Sequence, residues 1–307
     1  MNEKSQGRSQ GQIILVTGAG SGIGRTTAIE LARAGHIVYA SMRVTDLEGE
    51  RWASLRSVAS EGRLDLRPLE LDVREDASCR AAIDRILADE GRVDVVMNNA
   101  AMMMHGLSEA FRPEQVLQIL DLNAVSWLRV NRAALPVMRR AGKGLLIYTG
   151  SGINRLPDPF TGPYAASKAA GDVLAEIMAL ETARYGIETV IVQPGAYTSG
   201  TDHFKHAVRP LDSEVKPKPL RICSDGHVPS SKHPSKPRYP FSVSSQRRRG
   251  SLMRPTIYGE RGIATVVEVQ RVRYMCIRHT QLDCPQFSVE LNGIKYKSID
   301  AMRLYNR

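Results

Sequence analysis

An aliphatic run, a glycine-rich turn and a helical segment follow one another near the start of the chain, and this order restricts the fold more than any other feature. Residues 13–17 (IILVT) are typical of a buried parallel strand. Residues 18–24 (GAGSGIG) come next, and residues 25–34 have a helical pattern that Gly35 ends. Glycines let backbone N–H groups approach a pyrophosphate, and a helix N-terminus favours its negative charge. The order predicts dinucleotide binding, with a merely flexible glycine loop as the alternative.

Strands and helices alternate through the first two-thirds of the chain. Further strands are predicted at residues 37–41, 64–71, 93–97, 145–148 and 189–192. Helices are predicted at residues 78–89 and 164–185, and one or two helices at residues 112–138. This alternation specifies a parallel sheet covered on both faces. The predicted fold class is therefore α/β, a Rossmann-type doubly wound parallel sheet. Pro157, Pro159 and Pro163 are expected to keep the chain out of helix until Tyr164.

The residues after the second predicted strand bear on the choice of dinucleotide. An acidic residue at this place would hold a ribose 2′-hydroxyl, but the residues here are Ser41, Met42 and Arg43. Arg43 can pair with a 2′-phosphate, and Arg25 can assist. We therefore expect NADP(H) in preference to NAD(H), unless the two arginines are simply solvated. Asp72, at the end of the third strand, is placed to hydrogen-bond an adenine ring.

Tyr164 and Lys168 lie four residues apart on a predicted helix, so their side chains share one face. The lysine ammonium favours phenolate and is expected to lower the pKa of the tyrosine. Such a pair is a general acid/base for a carbonyl or alcohol oxygen, although most pairs with this spacing are surface residues. Ser151 ends a strand thirteen residues before Tyr164, so both can face one crevice. Asn123 lies within a predicted helical stretch, although asparagine is a poor helix former. It is expected to be a surface residue, to mark a local kink or to anchor a water.

Taken in order, these motifs resemble the short-chain dehydrogenase/reductase family over about residues 11–206. Thr17-Gly18 with Gly22 and Gly24 is similar to the TGxxxGxG turn of the family, and Asp72 is similar to its adenine contact. Asn98-Asn99-Ala100 resembles the start of its NNAG motif, and Pro194-Gly195 resembles its nicotinamide-side turn. The catalytic tetrad of the family is matched by Asn123, Ser151, Tyr164 and Lys168. Ala101 stands where the family has the last glycine of NNAG. Asn98 alone could equally pin neighbouring backbone.

The resemblance implies a catalytic role for each member of the tetrad. Tyr164 would donate a proton to the carbonyl oxygen or take one from the alcohol, while Lys168 would lower the pKa of the tyrosine and hold the nicotinamide ribose. Ser151 would polarise the carbonyl, and Asn123 would hold a water that continues the proton path from Lys168. Hydride transfer belongs to the cofactor. The implied cofactor-binding residues are Thr17, Gly18, Ser21, Gly22, Ile23, Gly24, Arg43, Asp72, Val73, Asn99, Ala100, Tyr164, Lys168, Pro194, Gly195 and Thr198. No metal site is expected.

The basic charge is confined to the last third of the chain. Residues 1–200 carry 22 Lys+Arg and 23 Asp+Glu, whereas residues 201–307 carry 20 Lys+Arg and 9 Asp+Glu. Residues 208–255 hold eight of the sixteen prolines, a composition that cannot bury a core. The predicted domains are a disordered N-terminus (1–10), a dinucleotide-binding and catalytic domain (11–206) and a basic Pro/Ser/Arg-rich tail (207–307), irregular or disordered.

Three readings of this tail stay open. It could bind nucleic acid or an acidic surface, but it contains no recognisable nucleic-acid module. It could be a genuine extension, or a translation in the wrong reading frame, which the abrupt change in composition at residues 206–208 favours. The substrate lid and last strand of the family are not recognisable in it. Residues 263–269 and 287–291 are candidate short strands, and either could take the place of the missing seventh strand.

The sequence thus predicts an NAD(P)-dependent oxidoreductase that interconverts a ketone or aldehyde and its alcohol. The alternatives are a cofactor-binding protein without turnover, disabled by its tail, and a basic-tailed interaction protein built on an enzyme core. Candidate pocket residues, which suggest an apolar small-molecule substrate, are Met102, Met103, Met104, Leu156, Phe160, Tyr197 and Phe204. A run of methionines is more often ordinary packing, which stays the alternative for residues 102–104. The family analogy adds a homodimer paired through the helices bearing Asn123 and Tyr164.

A soluble cytoplasmic protein is expected, because the N-terminus has no apolar signal region and no apolar run reaches the ~18 residues of a membrane span. The four cysteines have spacings that fit neither a zinc site nor a disulfide framework, so free thiols are expected at Cys79, Cys223, Cys276 and Cys284.

Overall fold

The computed structural model describes residues 11–154, 158–195 and 203–212, and the strands within residues 264–297. The strands are β1 Ile13–Val16, β2 Ile37–Met42, β3 Leu66–Glu70, β4 Val95–Asn98, β5 Gly144–Thr149, β6 Ile187–Pro194, β7 Ala264–Val269, β8 Val272–Ile277, β9 Ser288–Leu291 and β10 Ile294–Lys297. The helices are α1 Gly22–Arg33, α2 Val44–Leu47, α3 Glu50–Gly62, α4 Asp76–Glu90, α5 Pro113–Leu120, α6 Ser126–Ala141 and α7 Gly162–Thr182.

The main sheet has the strand order β3-β2-β1-β4-β5-β6-β8-β7. Every pair from β3 to β8 is parallel, and β7 is antiparallel to β8. The predicted doubly wound α/β fold is confirmed. The chain runs outward from β1 to β3 and then returns to the other side of β1 with β4. A crevice therefore opens at the carboxyl ends of β1 and β4, where this fold class binds its ligands.

Strand β1 is buried on both faces, because its alternate residues enter two different apolar cores. Ile13 and Leu15 pack in the core that contains Trp127 of α6, and Ile14 and Val16 pack in the core that contains Ile29 of α1. Alternation along a strand sends successive side chains to opposite faces. A continuous aliphatic run is thus what a central parallel strand requires.

Several helix boundaries differ from the predictions. Helix α7 begins at Gly162, two residues before Tyr164, since Pro163 is in its first turn, where the missing N–H is not needed. The predicted helical stretch 112–138 is α5 and α6, joined by a π-helical turn at Asp121–Val125. Asn123 is in this turn. Helix α3 was not among the predicted helices.

The two candidate strands of the last third are present, but neither is the neighbour of β6. That place belongs to β8, with β7 outside it, while β9 pairs with β10 in a separate two-stranded sheet. The expectation that residues 263–269 or 287–291 take the place of the seventh strand is therefore wrong. Strand pairing depends on contacts between distant segments, so the local pattern of residues 272–277 did not indicate that they lie beside β6.

Residues 203–212 pack against the segment that follows β4. The Val208 amide donates to the Met103 carbonyl (2.9 Å), and the His105 amide donates to the Val208 carbonyl (3.1 Å). Further along, the Gln115 side chain donates to the Arg209 carbonyl at 3.0 Å. The chain thus stays in contact with the sheet domain past residue 206. No helix of the described chain combines the length and apolar character needed to cross a membrane.

Candidate functional site

A cleft of about 900 Å³ lies along the carboxyl ends of the central strands. This size falls within the roughly 300–1,000 Å³ of typical ligand pockets. Residues predicted for the site that line it are Gly18, Ser21, Gly22, Ile23, Arg43, Asp72, Val73, Asn99, Ala100, Ser151, Tyr164, Lys168, Pro194 and Gly195. Three other predicted residues, Thr17, Gly24 and Asn123, lie behind this lining, and Thr198 lies outside the described residues.

The glycine turn at the end of β1 packs closely against the segment that follows β4. Gly18 has φ +67°, and a Cβ there would lie 2.9 Å from the Ala100 Cα. No side chain caps the N-terminus of α1, whose Gly22 and Ile23 line the cleft. Uncapped N–H groups at a helix N-terminus suit an anion. The turn therefore fits the pyrophosphate of a dinucleotide.

Thr17 and Asn99 hold this turn in place. The Thr17 hydroxyl donates to the Met97 carbonyl and accepts hydrogen bonds from the amides of Asn99 (2.9 Å) and Ala100 (3.0 Å). The Asn99 side chain donates to the Thr17 carbonyl at 2.8 Å. These bonds join the ends of β1 and β4. Thr17 thus supports the cleft from behind it.

The cleft is rich in arginine at the end near β2. Arg43 and Arg51 both line it, and both pair with Asp46, at 3.4 and 3.1 Å. The strand end itself lacks a carboxylate, as the sequence indicates, but helix α2 brings one to the same place. Arg25, expected to assist Arg43, instead donates to the Ser54 hydroxyl at 3.1 Å.

Asp72 lines the cleft with its carboxylate held by a neighbour. The Arg74 guanidinium donates to both of its oxygens, at 3.2 and 3.0 Å. These bonds lower the pKa of Asp72, so the carboxylate stays ionised. Arg74 also lines the cleft, next to the predicted adenine contact, although it was not among the predicted site residues.

Lys168 is the most buried charged group of the site. Its Nζ donates to the Thr149 carbonyl at 2.7 Å and lies 5.5 Å from the centroid of the Trp127 ring. Burial lowers the pKa of Lys168 to about 8, and the negative charge of Asp172 opposes that shift. The lysine is therefore close to its titration point at neutral pH.

Tyr164 is buried, and it lines the cleft together with Ser151. Burial raises the pKa of Tyr164, the Ser151 hydrogen bond lowers it, and the Asp172 charge raises it. The expected net lowering by Lys168 is therefore wrong for the protein without cofactor. Desolvation disfavours the phenolate more than the nearby groups favour it.

The Asn123 side chain is engaged with protein groups on both of its ends. Its Nδ2 donates to the Met102 carbonyl (3.0 Å) and to the Ser167 hydroxyl (2.9 Å), and its Oδ1 accepts from the Met102 amide (2.9 Å). Both donor hydrogens of the amide are thus used. The geometry fits a residue that anchors the start of the 102–104 segment to α7.

His203 is a site residue that the sequence analysis missed. Its Nε2 lies 3.4 Å from the Tyr164 hydroxyl, and the two rings meet edge to face with centroids 5.6 Å apart. Burial, and then the charge of Lys168, lowers the pKa of His203 to about 4. The imidazole is therefore neutral at physiological pH. A lone histidine after the last predicted strand carries no local signal of this contact.

The apolar residues proposed for a substrate pocket divide between the cleft and the core. Met102, Met103 and Phe204 line the cleft, and Phe204 is 38% exposed. Met104 is completely buried in a core cluster with Phe111 and Tyr164, so its assignment to the pocket is wrong. Phe160 lies against His105 instead of in the lining, with ring centroids 6.0 Å apart. Leu156 and Tyr197 lie outside the described residues.

Known proteins match the same part of the chain. The sequence model described as short chain dehydrogenase matches residues 12–210. A 3-ketodihydrosphingosine reductase of Bacteroides thetaiotaomicron is 36% identical over 191 residues, which are 62% of this chain and 66% of the relative. Human 17-beta-hydroxysteroid dehydrogenase type 1 is 36% identical over 186 residues, 60% of this chain and 56% of the relative. The chain therefore spans less than two thirds of either relative.

Solved structures agree with the sequence matches. A gluconate 5-dehydrogenase from Burkholderia cenocepacia, in complex with NADP and tartrate, is 31% identical with a TM-score of 0.58, over 64% of this chain and 76% of that one. A short-chain dehydrogenase from Streptomyces avermitilis is 28% identical with a TM-score of 0.60, over 70% and 74%. The glycine turn, the strand order and the match over residues 12–210 agree: the chain belongs to the short-chain dehydrogenase family.

Proposed function

We propose that the protein is an NADP-dependent oxidoreductase that interconverts a ketone or aldehyde and the corresponding alcohol, acting on CH–OH groups. One observation carries the proposal: Tyr164, Ser151 and Lys168 line the same cleft that holds the glycine turn and the N-terminus of α1. A proton donor for a carbonyl oxygen and a cradle for a dinucleotide thus share one cavity.

The proposed roles follow from the protonation states and contacts of the site. The bound nicotinamide supplies or accepts the hydride. The raised pKa of Tyr164 keeps its hydroxyl protonated, which is the form that donates to a carbonyl oxygen. Ser151 hydrogen-bonds that oxygen, and Lys168 holds the nicotinamide ribose. Because the side-chain donors of Asn123 are taken by Met102 and Ser167, we assign its side chain a positioning role instead of the water contact that the resemblance implies.

NADP is the proposed cofactor on the basis of Arg43 and Arg51. Their guanidinium groups line the same end of the cleft, and a 2′-phosphate offers them more negative charge than a ribose hydroxyl. Asp46 already pairs with both, so the phosphate competes with this carboxylate. The solved relative bound to NADP supports the choice. Thermal unfolding with excess cofactor tests it, since NADPH should raise the melting temperature more than NADH.

The proposed substrate is a small, largely apolar carbonyl compound or alcohol. Met102, Met103 and Phe204 give the cleft an apolar wall near Tyr164. Relatives named for a sphingoid base, a steroid and cyclopentanol have apolar substrates in common. We therefore propose 3-ketodihydrosphingosine, estrone and cyclopentanone as first probes.

Replacing Tyr164 by phenylalanine tests the mechanism. The change removes the proton donor and keeps the ring, so turnover of an accepted probe with NADPH should fall roughly 10²–10⁴-fold. NADPH binding, followed by cofactor fluorescence, should persist. Tyr185→Phe is the matched control, because that hydroxyl lies past the end of α7 and contacts Arg184. Turnover that is unchanged in Tyr164→Phe contradicts the proposal.

A second candidate function is cofactor binding without turnover. The sequence of residues 213–307 does not contain the lid and last-strand pattern that the family resemblance implies, although β8 occupies the place beside β6. Saturable NADPH binding with no turnover of any probe would favour this alternative. A pure interaction protein is disfavoured, because nothing in such a role requires Asn123, Ser151, Tyr164 and Lys168 at their spacings.

The proposal includes a homodimer in the cytoplasm. Val173, Ile177 and Leu180 form an exposed apolar stripe on α7, which suits pairing through that helix.

The buried free thiol of Cys79 is compatible with a reducing compartment. We propose that the catalytic domain extends to residue 212, because the segment 203–212 contributes His203 to the cleft.

A further inference from the structure

Asp172 is a buried carboxylate one helical turn beyond Lys168, and the roles proposed above leave it unused. Tyr164, Lys168 and Asp172 follow one another at intervals of four residues, so they lie along one face of α7. Asp172 is only 5% exposed. A buried carboxylate is costly unless it is paired and hydrogen-bonded, so its position calls for a physical reason.

One oxygen of Asp172 connects α7 to the two strands beside the site. Its Oδ2 accepts hydrogen bonds from the Asn154 side chain and from the Gln193 side chain, both at 2.8 Å. Asn154 follows Ser151 in the turn after β5, and Gln193 is near the end of β6, just before Pro194 and Gly195. The carboxylate thus ties together the segments that carry Ser151 and the Pro194-Gly195 turn.

The other oxygen lies directly against the end of β5. Asp172 Oδ1 is buried without a hydrogen-bond partner among the described residues, and a Cβ added to Gly150 would lie 2.6 Å from it. Lys168 donates to the carbonyl of Thr149, the preceding residue. Lysine and aspartate therefore contact adjacent residues at the same strand end.

Charge complementarity gives the second argument. An isolated buried ammonium loses its hydration, and a nearby opposite charge offsets part of that loss. The charge of Asp172 opposes the lowering of the Lys168 pKa by burial. Burial raises the pKa of Asp172, while its hydrogen bonds from Asn154 and Gln193 and the charge of Lys168 oppose that rise. The other titratable groups that act on the pair are Tyr164 and Glu176, on α7, and His203, from the segment 203–212.

We propose that Asp172 is a positioning residue for the Tyr164–Lys168 pair. Its carboxylate supplies a counter-charge one helical turn from the buried Lys168 ammonium, and its hydrogen bonds hold the Ser151 segment and the end of β6 against α7. The inference rests on the proposed function, because it assigns the ammonium form of Lys168 the task of holding the cofactor ribose.

Asp172→Asn removes the charge and retains an oxygen that can accept from Asn154 and Gln193. We expect the pH above which NADPH binding weakens to fall by about one unit, since an opposite charge nearby shifts a pKa by roughly 1–3 units. The measurement is the NADPH dissociation constant between pH 6 and 10, from cofactor fluorescence. An unchanged pH profile, or one weakened equally at every pH, would overturn the proposal.

Two control variants separate charge from packing. Glu181→Gln removes a negative charge from an exposed position on the same helix and should leave the profile unchanged. Asn154→Ala removes one hydrogen bond to Asp172 and keeps its charge, so it should lower thermal stability without moving the profile. A downward shift of about one unit in Asn154→Ala, the size expected for Asp172→Asn, would assign the effect to packing and refute the counter-charge. This outcome can be measured even if Asp172→Asn does not fold.

The binding measurement needs no turnover. If the wild-type protein reduces none of the probes, the proposed reaction fails while the Asp172 profile still gives its result. If a probe is turned over, kcat/KM should follow the same downward shift in Asp172→Asn. A kcat/KM profile that stays in place while the binding profile moves would also contradict the role in the reaction.

Discussion

At the scale of single residues, burial decides the protonation states of the site. Tyr164, Lys168 and His203 all have pKa values displaced in the direction that favours the neutral form. This is the expected effect of removing charges from water. The neighbouring charge of Asp172 opposes the shift at Lys168 and adds to it at Tyr164. The charge of Asp172 therefore favours the protonated form of both Lys168 and Tyr164.

The lowered pKa of Lys168 predicts how stability depends on pH. The folded protein releases this proton near pH 8, whereas the unfolded chain holds it up to about 10.5. Between these pH values the unfolded state binds more protons than the folded state. The contribution of Lys168 to the free energy of unfolding therefore increases as the pH rises. Lys168→Met has no such proton, and its stability relative to wild type should therefore fall from pH 8 to pH 10. Urea unfolding at both values measures this, and parallel curves would contradict it.

At the scale of elements, the glycine turn shows how closely β1, α1 and the end of β4 approach. Gly24 is in the first turn of α1, and a Cβ there would lie 2.5 Å from the Gly18 carbonyl oxygen and would also meet the Asn99 side chain. Gly20, in the glycine turn before α1, faces only side chains, and a Cβ there would lie 3.3 Å from the Arg51 Cδ. The two glycines therefore differ in what a methyl group would displace.

Gly24→Ala is predicted to destabilise the protein by about 1–3 kcal/mol, because backbone must move to admit the methyl group. An alanine in a helix would otherwise stabilise by roughly 0.5–1 kcal/mol, so the sign of the change is diagnostic. Gly20→Ala is the matched control and should leave stability without cofactor nearly unchanged. Chemical unfolding of both variants without cofactor gives the comparison. Equal effects would show that the close approach to Gly18 is not the cause.

At the scale of the whole molecule, the exposed stripe on α7 is the feature that bears on assembly. Val173, Ile177 and Leu180 are 58%, 49% and 48% exposed, and they follow the spacing of one helix face. The opposite face of the same helix carries Tyr164, Lys168 and Asp172. Pairing of two copies through the stripe would therefore brace the helix that bears the site.

Ile177→Glu is predicted to dissociate the proposed dimer, because it places two charges in an apolar contact. Sedimentation or light scattering should show a dimer for wild type and a monomer for the variant. Glu181→Gln, on the same helix, should leave the mass unchanged. A wild-type monomer, or a variant that stays dimeric, would exclude this stripe as the interface.

Much of the fold followed from local pattern. The aliphatic run 13–17 was correctly predicted as a buried strand, and the glycine-rich stretch 18–24 leads into a helix as expected, because a central parallel strand and a tight strand-to-helix turn each need particular residue types in sequence. The spacing of Tyr164 and Lys168 was informative for the same reason, since four residues on a helix bring two side chains to one face. Whether a segment forms a strand or a helix was thus determined by residues close together in the chain.

Only the tertiary structure decided what distant residues do to one another. It brought Asp46 between Arg43 and Arg51, placed His203 on the Tyr164 hydroxyl, and set β8 beside β6 in place of either strand expected there. It also reversed the expected pKa shift of Tyr164, because burial depends on the whole packed core. The sequence by itself determined which side chains were available and along which local faces they lie. Their charges, partners and solvent exposure depend on contacts between segments far apart in the chain, and no local pattern encodes those.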